Sequence, residues 1–329
     1  MSESGFNVVI GGGGAMAIGI SAGIMIALRE AGLDVHDADT CIGTSAGSIV
    51  AADIRFRRPL EQIASQVCSD ADGDGPTESL KAWRSWPELA RRSVGSAWVL
   101  MRALTPATAH IPEPPRALQR LFPGSLLTLG ERKDWATELY PDGWPPGRLW
   151  AIAANLDNGR RVVLEADPPP GRPRATLPEA LQASCAIPGL YPPVRVDGMR
   201  LVDGGMKSPT NFDIAAELPQ RAVLAITAIA YDPADPPVGP ARVLRTFASR
   251  QVLREVGALR RRGHEVLLLR PGRAALEAAG GSILSGRITS DVVEAAYEAM
   301  SHSLAGPEMQ QRLDRFMAAA QQPALDPST

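Results

Sequence analysis

Apolar positions recur along this chain with changing periods, and the changes mark its elements. Asn7 to Ile10 is a short apolar run of the kind that predicts a buried strand, and it leads straight into Gly11-Gly12-Gly13-Gly14. Beyond the glycines, Met16, Ile20, Ile24 and Leu28 fall four residues apart, with Ala17, Ala27 and Ala31 beside them. That spacing predicts a helix with one face buried, closed by Gly32. A second apolar run, Thr40 to Ile42, is followed by small and aliphatic residues from Ala46 to Ile54, which predict another strand and helix. Two successive strand, glycine turn and helix units imply a mostly parallel sheet covered by helices, an α/β fold.

The pattern weakens from Ser69 to about Gly147. Residues 70–76 (DADGDGP) have loop composition, and Leu80 to Leu104 mixes Trp83, Trp86 and Trp98 with arginines and the apolar run 97–101. Prolines at 106, 112, 114 and 115 then break the chain. The expectation is a helical cap or insertion over about 70–148 within a single domain of 329 residues. Its Trp- and Arg-containing stretch 80–104, which includes Val99 and Leu100, is the expected lid or membrane-facing surface. Periodicity returns with a strand at Leu149 to Asn155, its hairpin partner at Arg161 to Glu165, and a short helix from Leu177 to Ala186. A hairpin with an Asp197-Gly198 turn then ends at Asp203-Gly204-Gly205. Buried strands are expected at Ala222 to Ala230 and Glu265 to Leu269, separated by a basic helix from Val243 to Arg262. A helical C-terminal region covers about 287–320, interrupted at Gly306-Pro307.

Composition narrows the function classes. Hydrophobic residues at 45% and charged residues at 21% suit a globular chain with a large core, and a net charge of -2 gives no nucleic-acid footprint. Three scattered cysteines, Cys41, Cys68 and Cys185, fit reduced thiols in a cytoplasmic setting and neither a disulfide framework nor a zinc site. The first residues lack a basic region and the apolar stretch after them is cut by glycines, so membrane contact is expected to be peripheral. Oligomeric state is left unassigned.

Chemistry enters at Gly43-Thr44-Ser45-Ala46-Gly47, a G-x-S-x-G turn between a strand and a helix. Such a turn is too sharp for side chains flanking the serine, and it lifts the hydroxyl above the strand end. A serine hydroxyl becomes a competent nucleophile only with a base in reach and donors aimed at the developing oxyanion. Three glycine-containing loops stand at strand ends: 11–14, 43–47 and 203–205. Between them Ser45, Asp203 and the four-glycine loop offer one component each.

Taken in order, these segments resemble the patatin-like phospholipases. GGGGA at 11–15 resembles the family's oxyanion loop, GTSAGS at 43–48 its nucleophile elbow, and VDGG at 202–205 its acid motif. ASCAIPGLYPPV at 183–194 and NLDNGRRVV at 155–163 are similar to the family as well, so the likeness runs from about Val8 to Leu218. The resemblance implies a three-layer α/β/α fold. It also implies a Ser45–Asp203 dyad, an oxyanion hole at Gly12, Gly13 and Gly14, and elbow and acid-motif glycines at Gly43, Gly47, Gly204 and Gly205. The substrate it implies is a lipid or related acyl ester, hydrolysed without metal or cofactor. Two departures accompany it. Met16 stands where the family usually carries Arg or Lys, and the helix start runs one residue longer before Ala22-Gly23. Loss of that cation implies a weaker preference for anionic head groups or a less firmly held loop, with Lys207 as a nearby replacement.

Three other readings use the same residues. Gly12-x-Gly14-x-x-Ala17 fits a dinucleotide-binding turn with Asp34 or Asp37 on the ribose, although both acids precede the second strand instead of ending it. A Ser–Asp–His triad would recruit His264 or His302, but here the nucleophile follows only one strand. A non-catalytic regulatory role would treat Met16 as a sign of decay.

Overall fold

A computed structural model of the chain describes residues 5–69, 135–238, 241–280 and 290–325. The tryptophan-rich stretch at 80–104, expected as a lid, lies outside the described residues. The fold is mixed α/β, built on a central, mostly parallel sheet with helices, and the chain divides into two compact units. The first contains residues 1–73, 145–150 and 209–329; the second contains 74–144 and 151–208.

In the first unit, β1 (Phe6–Ile10) pairs in parallel with β2 (Thr40–Thr44) on one side and β7 (Ala222–Ile226) on the other. Strand β8 (Glu265–Leu269) adds in parallel to β7. All residues of β1, β2 and β7 are buried, as expected of parallel strands covered on both faces. Helices α1 (Ala15–Glu30) and α2 (Ala46–Arg55) follow β1 and β2, and α3 (Leu60–Ser69) comes next. Helix α1 ends as its sequence predicts. Gly32, at φ +92°, donates to the Arg29 carbonyl and Leu33 to that of Leu28, the paired bonds of a Schellman cap.

The C-terminal half supplies α6 (Ala241–Arg261), α7 (Arg273–Ala278), α8 (Ser290–Ala305) and α9 (Pro307–Ala320). Helix α8 packs along α1 through Gly23, where a Cβ would lie 2.9 Å from both the Ala296 methyl and the Tyr297 nitrogen. Gly23→Ala is therefore expected to lower stability by about 1–3 kcal/mol through overpacking, measurable by chemical denaturation. A variant as stable as the parent would show that α8 yields at this contact.

The second unit is antiparallel. Strand β3 (Arg148–Asn155), whose last five residues belong here, pairs with β4 (Arg161–Leu164) and β6 (Met199–Asp203). Strand β5 (Val194–Val196) pairs with β6 across a turn whose two central residues, Asp197 (φ 47°) and Gly198 (φ 77°), have the positive φ of a type I′ hairpin. Two helices complete the unit: α4 (Trp135–Leu139), and α5 (Leu177–Ser184) with a Thr176–Glu179 capping box.

One strand is shorter than its hydropathy suggests. Strand β7 stops at Ile226 because the Thr227 hydroxyl accepts from the amides of Ile229 and Ala230. A local side-chain bond of this kind competes with the ladder and turns the chain aside.

Candidate active site

Ser45 lies between the end of β2 and the start of α2, at φ 55° and ψ -131°. A non-glycine residue in that region carries about 1–3 kcal/mol of strain and persists only where its surroundings enforce it. Here the enforcement is visible. A Cβ on Gly43 would overlap the Gly47 carbonyl and the Ser48 Cα, and one on Gly47 would fall 2.6 Å from the Gly11 carbonyl oxygen. Ser48 closes the turn by donating to the Ser45 carbonyl from its backbone at 2.8 Å and its hydroxyl at 2.6 Å. Gly47→Ala is expected to tilt the turn by a fraction of an ångström or more. Misplacement on that scale costs about a hundredfold in turnover. Unchanged activity in a folded Gly47→Ala protein would mean that this approach is not needed.

The glycine loop abuts the serine. A Cβ on Gly12 would sit 3.1 Å from the Ser45 Cβ and 3.3 Å from the Thr44 carbonyl oxygen, so the backbone itself lines that flank. Gly11 donates to the Ile226 carbonyl at 2.9 Å, and Gly12 to that of Pro209 at 2.8 Å. Gly13 at φ 148° and Gly14 at φ 66° then turn the chain into α1, for which Gly14 is the N-cap. Gly12 thus has its amide hydrogen already committed. Among the described residues no backbone carbonyl accepts from Gly13 or Gly14. Those two amides stand at the positive end of a sixteen-residue helix, where a negative charge is favoured.

The segment under this loop is held from α6. Buried Glu255 accepts from the Thr210 hydroxyl at 2.7 Å and the Phe212 amide at 2.9 Å, and Asn211 donates to the Thr44 hydroxyl at 3.1 Å. Arg245, ten residues earlier on the same helix, donates to the Ala228 carbonyl at 2.9 Å. Neither charge was singled out from the sequence. The available signal was that Glu255 falls within, and Arg245 one turn ahead of, the buried stripe of Ala248, Ser249, Val252, Val256 and Leu259. Met16, expected as the substitute for a cation, is wholly buried, and its sulfur lies 3.6 Å from the Arg245 Nη2.

Asp203 belongs to the second unit, at the end of β6, where it is 5% exposed. Its Oδ1 accepts from the Gly205 amide at 2.7 Å, and its own amide donates to the Ala186 carbonyl at 2.9 Å. Gly204 is needed because a Cβ there would stand 2.9 Å from the Ile152 carbonyl carbon, and one on Gly205 would be 3.0 Å from the Asp203 Oδ1. Lys207 is exposed and lines a small hollow of this unit with Met206, Asn155 and Leu156.

The histidines and the other acids lie elsewhere. His264 precedes β8 at the sheet edge where β1, β2 and β7 begin, whereas Ser45 follows the opposite, C-terminal edge of β2. Five residues of strand, about 16 Å, separate those edges. His264 is buried with Nδ1 3.0 Å from the Gln220 carbonyl oxygen, and burial pushes its pKa down. His302 is exposed on α8. Asp34 is occupied with the backbone and ring of His36 ahead of β2, and Asp37 is an exposed partner of Arg57. Neither acid ends the second strand as a ribose ligand should. The Cys41 thiol is wholly buried in β2 and pushed up to about 12, so it packs and does not react. Among the described residues no cluster of metal-ligating side chains occurs, and no helix is long and apolar enough to cross a membrane.

A family model described as patatin-like phospholipase matches residues 8–216. Among solved structures, VipD from Legionella pneumophila is similar at 15% identity and a TM-score of 0.41, over 95% of this chain and 67% of that one. The type III effector protein ExoU is similar at 16% identity and a TM-score of 0.35, over 94% of this chain and 53% of that one. The chain thus spans about two-thirds of the first and about half of the second.

Proposed function

The chain belongs to the patatin-like phospholipase family, and from that premise we propose that it hydrolyses carboxylic esters of lipids through an acyl-enzyme on Ser45. The observation that carries this reading is the strained Ser45 turn pressed against a glycine loop at a helix N-terminus. In the proposed reaction the Ser45 Oγ adds to the ester carbonyl while Asp203 takes its proton. The tetrahedral oxyanion is held by the amides of Gly13 and Gly14, with Gly12 shaping the flank and not donating. Collapse expels the alcohol, which takes the proton, and water then frees the fatty acid by the same steps.

The pairing of Ser45 with Asp203 is supported by the order of the motifs and by the local construction of each half. The Ser–Asp–His alternative has less support, because His264 stands at the wrong edge of the parallel sheet and His302 faces solvent. Phospholipids, lysophospholipids and simpler acyl esters are all within the proposed substrate class, and peripheral contact with the lipid surface goes with it. The test is a panel of p-nitrophenyl esters, lysophospholipids and phospholipid vesicles, with free fatty acid as the readout. Release of fatty acid from at least one lipid supports the reading. Absence of hydrolysis across the panel by folded protein contradicts it and favours a regulatory role.

A further inference from the structure

Helix α6 carries a positive charge into the interior of the first unit. Arg245 is 2% exposed, in a class of residue almost never fully buried without a partner. Its Nη1 is 2.9 Å from the Ala228 carbonyl oxygen and 3.4 Å from that of Ile229, and its Nη2 is 3.6 Å from the Met16 sulfur. Among the described residues no carboxylate forms an ion pair with it, and burial alone bears on its proton affinity. A guanidinium stays protonated in proteins, so the charge remains.

Two of the residues that this guanidinium grips also flank Gly13, whose nearest neighbour is the Ala17 methyl, 3.2 Å from where a Cβ would stand. A Cβ on Gly13 would stand 3.7 Å from the Ala228 methyl and 3.8 Å from the Met16 methyl. Arg245 therefore touches two of the three residues that surround Gly13, whose amide no backbone carbonyl takes among the described residues. Packing alone does not account for it, because an apolar side chain of similar volume in this site avoids the desolvation of a charge. A buried charge beside open amides gains its compensation when an anion forms on them.

We propose that Arg245 is a positioning residue of the acyl-transfer site: it clamps Met16 and Ala228 around Gly13 and sets a fixed positive charge behind the amides that receive the oxyanion. This rests on the proposed esterase reading. Its effect is selective for the transition state, since a neutral ester gains little from the charge and the tetrahedral anion gains much.

The test compares wild type with Arg245→Met, Arg245→Gln and Arg245→Lys on one soluble neutral ester. Melting temperature is measured on the same proteins, as is the rate of labelling by a fluorophosphonate, whose attack by serine places negative charge on the phosphoryl oxygen in a trigonal-bipyramidal transition state before fluoride leaves. Expected are a fall in kcat of about tenfold to a hundredfold in the Met and Gln variants with KM changed less than about threefold, and a parallel fall in labelling rate. Partial recovery is expected in the Lys variant, and a melting temperature in the Met variant at or above that of wild type. Wild-type-like kcat and labelling in folded Met and Gln variants overturn the proposal while leaving the esterase reading intact. So does loss of folded protein in all three variants, which assigns Arg245 to the architecture. A wild type that neither cleaves esters nor takes the label sinks the underlying reading, and this proposal with it.

Discussion

Replacement of Ser45 by alanine is expected to lower ester turnover by at least about ten-thousandfold and to abolish covalent labelling, with stability close to wild type. The structural part of that expectation follows from the turn. Its conformation is imposed by Gly43 and Gly47, whose neighbours leave no room for a Cβ, and by two bonds from Ser48 to the Ser45 carbonyl. None of these needs the Ser45 hydroxyl, so the alanine variant keeps the turn and loses only the hydroxyl. Hydrolysis within tenfold of wild type in a folded Ser45→Ala protein would place the chemistry at another residue.

The second large effect is expected at Asp203. Asparagine there preserves shape, and its side-chain oxygen still accepts from the Gly205 amide as Oδ1 does now. What disappears is the capacity to take a proton and the negative charge of the carboxylate. A fall in kcat of about a thousandfold is expected, in line with the loss of a general base. An Asp203→Asn enzyme that is folded and nearly as active would leave Asp203 as a turn residue only, with Oδ1 serving the D-G-G bend.

Much of this was legible in the sequence, for identifiable reasons. The strands β1, β2, β3 and β8 and the helix α1 are strongly patterned, and Gly32 and Asp197-Gly198 are the residue types their positive φ values require. The sharp turn at Ser45 was legible because G-x-S-x-G encodes a steric demand that Gly43 and Gly47 do satisfy. What escaped were contacts without a local pattern. Arg245 and Glu255 read as ordinary charges on a basic helix, yet they are buried and hold the loops on which the glycines rest. The end of β7 escaped because Thr227 is a good strand residue whose hydroxyl here bonds two amides ahead of it. The resemblance implies the Gly12 amide as an oxyanion donor, whereas that amide donates to the Pro209 carbonyl, distant in sequence.

The most direct test of the central claim is to react the protein with a fluorophosphonate, digest it, and locate the adduct by mass spectrometry, with Asp203→Asn treated in parallel. The account predicts one adduct, on the peptide containing Ser45, forming far more slowly in the Asp203→Asn protein. An adduct on any other residue, or equal rates in the two proteins, would contradict it.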